Sequence, residues 1–238
     1  MVTESNGVTA STDAQDRVQR ITVSPAYWYE YTYNADGEVT RIEDSLGGVT
    51  TIEWTELGQI ASLTYPGGAT TTFTWDPAGR KTGASFSGQG SITATRDPLS
   101  GRIEEIISTM PLVPAIPDLS LDASYGPGSR LVGATYDGRN NVTALDLKSF
   151  TWDLLGRLIG FDNGAVTRRV EYDVFGQRVK LTDDGNVTTF VPMYSLDKPV
   201  IAAELDSSGN LKLVNVHLPD GELLFRMDAA NGGYQIFN

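Results

Sequence analysis

One six-residue unit, aromatic-polar-x-x-Gly-polar, recurs in register along the chain, and that repetition constrains the fold more than any other feature. It stands as Tyr33-Asn-Ala-Asp-Gly37-Glu, Trp54-Thr-Glu-Leu-Gly58-Gln, Trp75-Asp76-Pro-Ala-Gly79-Arg, Trp152-Asp153-Leu-Leu-Gly156-Arg and Tyr172-Asp173-Val-Phe-Gly176-Gln. The starts at 33, 54 and 75 are 21 residues apart, and those at 152 and 172 are 20 apart. Another 21 residues beyond Trp75 comes Arg96-Asp-Pro-Leu-Ser-Gly101, a degenerate copy with one residue inserted before the glycine.

Between the units lie short alternating runs rich in Thr, Val, Ile and aromatics. In Thr70-Thr-Thr-Phe-Thr-Trp75 the residues Thr71, Phe73 and Trp75 share one face, as the two-residue strand period requires. Residues 149–152 and 169–172 repeat the arrangement. Tyr65-Pro-Gly-Gly68, Asp162-Asn-Gly164 and Asp183-Asp-Gly185 carry turn chemistry. Only 12–20, with a Thr12/Gln15 capping-box spacing, and the Ile-rich 101–108 read as candidate helices.

The unit has a mechanical reading that needs no ligand. An Asp or Asn after the last strand residue accepts backbone N–H bonds two residues on, and the glycine closes the turn in the left-handed region. The preceding aromatic ends the strand on the packed face, where copies from neighbouring hairpins stack. One hairpin cannot bury its own face, so the expectation is an all-β array of antiparallel hairpins stacked into a continuous curved sheet, the five aromatics mostly buried on one side.

Composition narrows the functions. Hydrophobic residues make up 40% of 238, with 25 glycines besides, enough for a core. Formal charge is −12, and no basic run exceeds Arg168-Arg169, which argues against nucleic acid or anionic membrane as a partner. No cysteine is present, which removes disulfides, thiolate metal sites and thiol nucleophiles. No stretch approaches the roughly 18 apolar residues of a spanning helix.

The pattern divides the chain into a lead-in at 1–26, repeats at 27–107, an interrupting loop at 108–135 that holds Pro111, Pro114 and Pro117, and repeats at 136–238 that degenerate after 190. Beyond Phe190 the unit blurs into Leu205-Asp-Ser-Ser-Gly-Asn210 and His217-Leu-Pro-Asp-Gly-Glu222.

These units and their spacing resemble the YD repeats of the Rhs family, also found in the C component of insecticidal Tc toxins and in teneurin ectodomains. The resemblance covers about 27–225. It implies a spiralling hairpin strip, here a partial β-shell, that encloses a toxin domain or other polypeptide without performing catalysis. It further implies a secreted or cell-surface location, as a piece of a longer exported chain. The expected partner is another polypeptide, whether toxin cargo, further repeats or another copy. A carbohydrate-binding adhesion module with Trp54, Trp75 or Trp152 stacked on sugar rings is the alternative. A strip of this kind has unpaired edges, and the stretch after Phe190 is the expected contact for another copy or segment.

Candidate chemistry yields to structural readings. His217, the single histidine, has no accompanying nucleophile elbow or zinc motif. Residues 32–43 approach a calcium loop through Asn34, Asp36, Gly37 and Glu43, but Thr32 stands where the first carboxylate belongs. Asp183-Asp184 and Glu104-Glu105 are strand or turn neighbours that point apart, unlike a glycosidase pair. Asp76-Pro-Ala-Gly79 superficially resembles the family's self-cleaving aspartyl segment, without its downstream part. The sequence thus assigns no catalytic residue, no metal and no cofactor.

Overall fold

Alternation and turn chemistry produce 22 strands in the computed structural model, which describes residues 2–3, 6–110 and 124–236. The first sheet is a meander of eleven antiparallel strands: β1 (Val2–Thr3), β2 (Thr9–Thr12), β3 (Val18–Ser24), β4 (Tyr27–Tyr33), β5 (Val39–Asp44), β6 (Val49–Trp54), β7 (Ile60–Thr64), β8 (Thr70–Trp75), β9 (Lys81–Phe86), β10 (Gly90–Arg96) and β11 (Ile103–Ser108). The second, also of eleven, holds β12 (Thr135–Tyr136), β13 (Val142–Leu145), β14 (Lys148–Trp152), β15 (Leu158–Asp162), β16 (Thr167–Tyr172), β17 (Arg178–Asp183), β18 (Asn186–Met193), β19 (Val200–Leu205), β20 (Leu211–His217), β21 (Leu223–Asp228) and β22 (Gly233–Ile236). In both, every strand pairs with its sequence neighbours, because each connection is a short hairpin turn.

The core forms where the two ends of the strip meet. Ile21, Tyr29, Tyr31, Ile42, Ile52, Leu63 and Tyr65 from the first sheet join Val214, Val216, Phe225 and Met227 from the second in one buried cluster. Tyrosine hydroxyls fasten the layers: Tyr31 donates to the His217 carbonyl at 2.6 Å, Tyr27 to that of Ala229 at 3.1 Å, and Tyr234 to Asp44 Oδ1 at 3.0 Å. The stretch after Phe190 is therefore covered by the chain's own first sheet. β20 is buried on both faces, from Leu213 through His217.

Two sequence expectations are corrected. Residues 12–20 contain a turn and the start of β3, not a helix; the Thr12/Gln15 spacing belongs to a turn in which Asp13 Oδ1 accepts the N–H groups of Gln15 and Arg17, both at 2.9 Å. The 101–108 stretch is β11, since β-branched Ile103, Ile106 and Ile107 favour a strand. Most of the proline-rich stretch falls at 111–123, outside the described residues.

Candidate functional site

Each repeat builds the same turn. At Asp153 the backbone N–H donates to the Arg157 carbonyl at 3.0 Å, and Gly156 N–H donates back to the Asp153 carbonyl at 3.1 Å. Asp153 Oδ1 accepts from the N–H groups of Leu155 and Arg157 at 2.8 and 2.9 Å, while Arg157 Nε donates to Oδ2 at 2.6 Å. Asp76 and Arg80 repeat this set. Both carboxyls are held below the usual carboxylate range, first by the backbone N–H of the arginine at the end of the turn. Thr55 performs the same task with Oγ1, and Asn34 with Oδ1. Asp173 accepts two N–H bonds likewise, and its second oxygen takes the Tyr194 hydroxyl.

The fourth turn position needs a left-handed backbone. Gly37, Gly58, Gly79, Gly156 and Gly176 sit there with φ of 87°, 72°, 75°, 76° and 86°. Two more copies lack the glycine and escaped the sequence reading. Asp13-Ala-Gln-Asp16-Arg17 has Asp16 at φ 63°, and Asp137-Gly-Arg-Asn140-Asn141 has Asn140 at 73°. Asp and Asn tolerate this conformation because their short side chains bond locally.

The aromatics do something the sequence does not reveal. Each is the last residue of its strand, and its polar tip reaches back to the first residue of the preceding strand. Trp54 Nε1 donates to the Val39 carbonyl at 2.8 Å, Trp75 to Ile60 at 2.9 Å and Trp152 to Val142 at 2.6 Å. The Tyr33 and Tyr172 hydroxyls donate to the Val18 and Leu158 carbonyls at 2.5 and 3.2 Å. Even Arg96, standing in the aromatic's place, donates to the Lys81 carbonyl at 3.4 Å. The register shifts by one residue at every one of these positions, a bulge that turns the ring toward its acceptor. Turn arginines then cap the next ring: Arg17 lies 4.3 Å from the Tyr33 centroid and Arg157 4.7 Å from that of Tyr172.

Cross-strand register places Tyr33, Trp54 and Trp75 on one face of the first sheet, with the core residues Tyr31, Ile52 and Leu63. Trp152 and Tyr172 share one face of the second sheet, linked through Phe150, Phe161 and Arg168. Followed further, that face leads to Glu204 and Leu213, the reverse of the side carrying Val214 and Phe225. All five rings are part-buried, between the fully buried core and the exposed surface. They sit at the ends of their strands; Tyr33 and Trp54 also pack against the core cluster, whereas Trp75, Trp152 and Tyr172 lie outside it.

The other candidates have structural roles. Asn34, read against a calcium loop, uses Oδ1 for two backbone N–H groups and Nδ2 for Glu38. Asp183 pairs with Arg168 at 2.9 Å, and Asp184 closes a hairpin at φ 47°. His217 is buried at the end of β20. Among the described residues no group of three or more His, Cys, Asp or Glu is placed to hold a metal, and no helix is long and apolar enough to cross a membrane.

Strands away from the core leave an apolar face open. Phe86, Phe150, Phe161, Val170 and Leu181 are half-buried and lie outside the core cluster, and Ile106 is 62% exposed.

Comparison with known proteins gives a family match and several similar structures. The RHS Repeat family model matches residues 33–70 and 54–91. A search of curated proteins returned no match. Among solved structures, the Tc holotoxin pore of Photorhabdus luminescens is similar over 97% of this chain and 16% of its own, at 11% identity and a TM-score of 0.41. The TcdB2–TccC3 complex is similar over 93% of this chain and 16% of its own, at 14% identity and a TM-score of 0.34. The chain thus spans about one sixth of the length of these structures. With residues 33–91 matching the family model and the same turn recurring from Asp13 to Asp206, the chain carries repeats similar to the RHS Repeat, and they form a structural scaffold.

Proposed function

We propose that this chain is a non-enzymatic strip of a secreted or surface-presented YD-repeat protein, and that it encloses or presents another polypeptide. The division into repeats at 27–107 and 136–238 around an interrupting segment at 108–135, with a lead-in at 1–26, belongs to this proposal. The observation that carries it is the open apolar face of the middle strands. Phe86 and Ile106 in the first sheet, and Phe150, Phe161 and Leu181 in the second, lie outside the core cluster, Ile106 exposed and the others part-buried. Such a surface suits an extended or partly unfolded chain, whose apolar side chains it removes from water. The Asn, Thr or Asp side chain that opens each turn is occupied in holding the strip together. The glycan reading is weaker, because the indole N–H groups of Trp54, Trp75 and Trp152 already donate to backbone carbonyls and are not free to orient a sugar.

The test is fluorescence anisotropy with labelled, reduced and carboxymethylated lactalbumin, a polypeptide that cannot fold. The expected result is saturable binding that is lost in Phe86→Asp and Phe161→Asp proteins with unchanged circular dichroism. Absence of binding at high micromolar protein would overturn the polypeptide reading. Glycan-array binding abolished by Trp152→Ala would favour the alternative.

A further inference from the structure

The last strand of the first sheet, β11, has an open edge. It pairs with β10 on one side, and no described strand lies on the other. All six of its residues are exposed, including Ile103 at 49%, Ile106 at 62% and Ile107 at 51%. Of the usual protections against edge pairing, Ile103-Glu-Glu-Ile-Ile-Ser108 has two glutamates and a bulge at its start, but no lysine and no proline.

The direction of its backbone groups follows from the ladder. Thr109 N–H donates to the Ser91 carbonyl at 2.9 Å, so 91 and 109 are a hydrogen-bonded pair. Hydrogen-bonded and non-bonded pairs alternate in antiparallel sheets. Thr93↔Ile107 and Thr95↔Glu105 are then bonded pairs, while Ile92↔Ser108 and Ala94↔Ile106 are not. Ile106 and Ser108 consequently turn their N–H and C=O groups to the open side.

We infer that this edge takes the same strand of a second copy, antiparallel and centred on Ile106. That register brings the outward-facing groups of Ile106 opposite those of Ile106 in the second copy, and sets Ser108 opposite Glu104. Side chains agree with it. Glu105 faces Ile107 and Glu104 faces Ser108, so no carboxylate meets another, whereas centring on Glu105 would set two glutamates against each other. Because opposing residues have the same parity, the two sheets continue with their apolar faces on one side. One strand pair buries well under the roughly 800 Å² per partner of a stable interface, so the dimer is weak and concentration-dependent.

Sedimentation equilibrium from micromolar to millimolar protein tests this. The expected result is an average mass rising from 25.7 kDa toward twice that value. Ser108→Pro removes an outward-facing N–H, which an edge strand tolerates, together with the exposed bond from Met110 N–H to Ser108 Oγ, and should shift association at least about tenfold higher in concentration. The chain has no cysteine, so Ile106→Cys introduces the only thiol. Under mild oxidation it should form a disulfide dimer, since facing Cα atoms in a bonded pair lie ~5.5 Å apart, within disulfide reach. Leu57→Cys, exposed in a turn elsewhere, is the reference and should crosslink far more slowly. A wild-type mass of one chain at every concentration, association unchanged in Ser108→Pro, or equal crosslinking at 57 and 106 would each overturn the inference.

Discussion

Replacing Phe225 by alanine should destabilise the whole protein, because this ring lies where the two layers share a core. It is fully buried in β21, paired with Val216, and meets Tyr65 of the first sheet edge-on at 6.3 Å and Tyr234 of β22 at 5.8 Å. Truncating a buried phenylalanine costs about 3–5 kcal/mol, including edge-to-face contacts worth ~0.5–1.5 kcal/mol each. Against a typical total of about 5–15 kcal/mol that is a large fraction. Phe86 provides the contrast. It is half-buried on the open face, so Phe86→Ala should cost only about 1–2 kcal/mol, in proportion to the area it hides. The assay is equilibrium urea unfolding followed by tryptophan fluorescence, which reports on Trp28, Trp54 and Trp75 in one sheet and Trp152 in the other. With a urea slope of about 1–3 kcal/mol per molar, Phe225→Ala should lower the midpoint by ~1 M or more. A loss below about 1 kcal/mol, or one no larger than that of Phe86→Ala, would show that the layers do not support each other.

The remaining predictions concern the turns and acid. Gly37 has φ 87° and nothing within 4 Å of where a Cβ would stand, so Gly37→Ala should cost about 1–2 kcal/mol from backbone strain alone, and Gly37→Asn clearly less; equal losses in urea midpoint would contradict the turn geometry. Burial lowers the His217 pKa from 6.5 to about 4, so the folded protein keeps this ring neutral while the unfolded chain protonates it. Stability from this source is complete above pH 6.5 and falls as the pH drops toward 4, by about 3 kcal/mol in all. His217→Gln should flatten that window, and an unchanged pH profile would refute the assignment. The depressed carboxyls of Asp76 and Asp153 contribute stability that is lost only at still lower pH, as each protonates through its folded value.

Repetition made the fold class, the turn chemistry and the strand faces legible, because all three are local. The glycine of each unit states the left-handed residue outright, so the turns at Gly37, Gly79 and Gly156 could be read directly. The copies at Asp16 and Asn140 were hidden because a different residue type meets the same backbone demand. The Thr12/Gln15 spacing misled for a related reason. A side chain that caps a helix N-terminus and one that closes this turn both accept N–H bonds from the residues just after them. The ring-to-carbonyl ties of Trp54 and Trp75 span 15 residues and depend on a bulge whose position no short pattern announces. The layering of β20 and β21 on the first sheet lay furthest from view. Contacts such as Tyr31 with His217 join residues 186 apart, and nothing in either stretch names the other.

The central claim is that each repeat is fastened to the one before it through its aromatic tip. Indole N–H exchange measures this most directly. In a uniformly ¹⁵N-labelled sample, the side-chain resonances of Trp54, Trp75 and Trp152 can be assigned by single Trp→Phe replacements and their exchange with water timed. The structure predicts that all three are strongly slowed relative to free tryptophan, since each donates to a backbone carbonyl at 2.6–2.9 Å. Exchange of all three at the free rate would contradict the account.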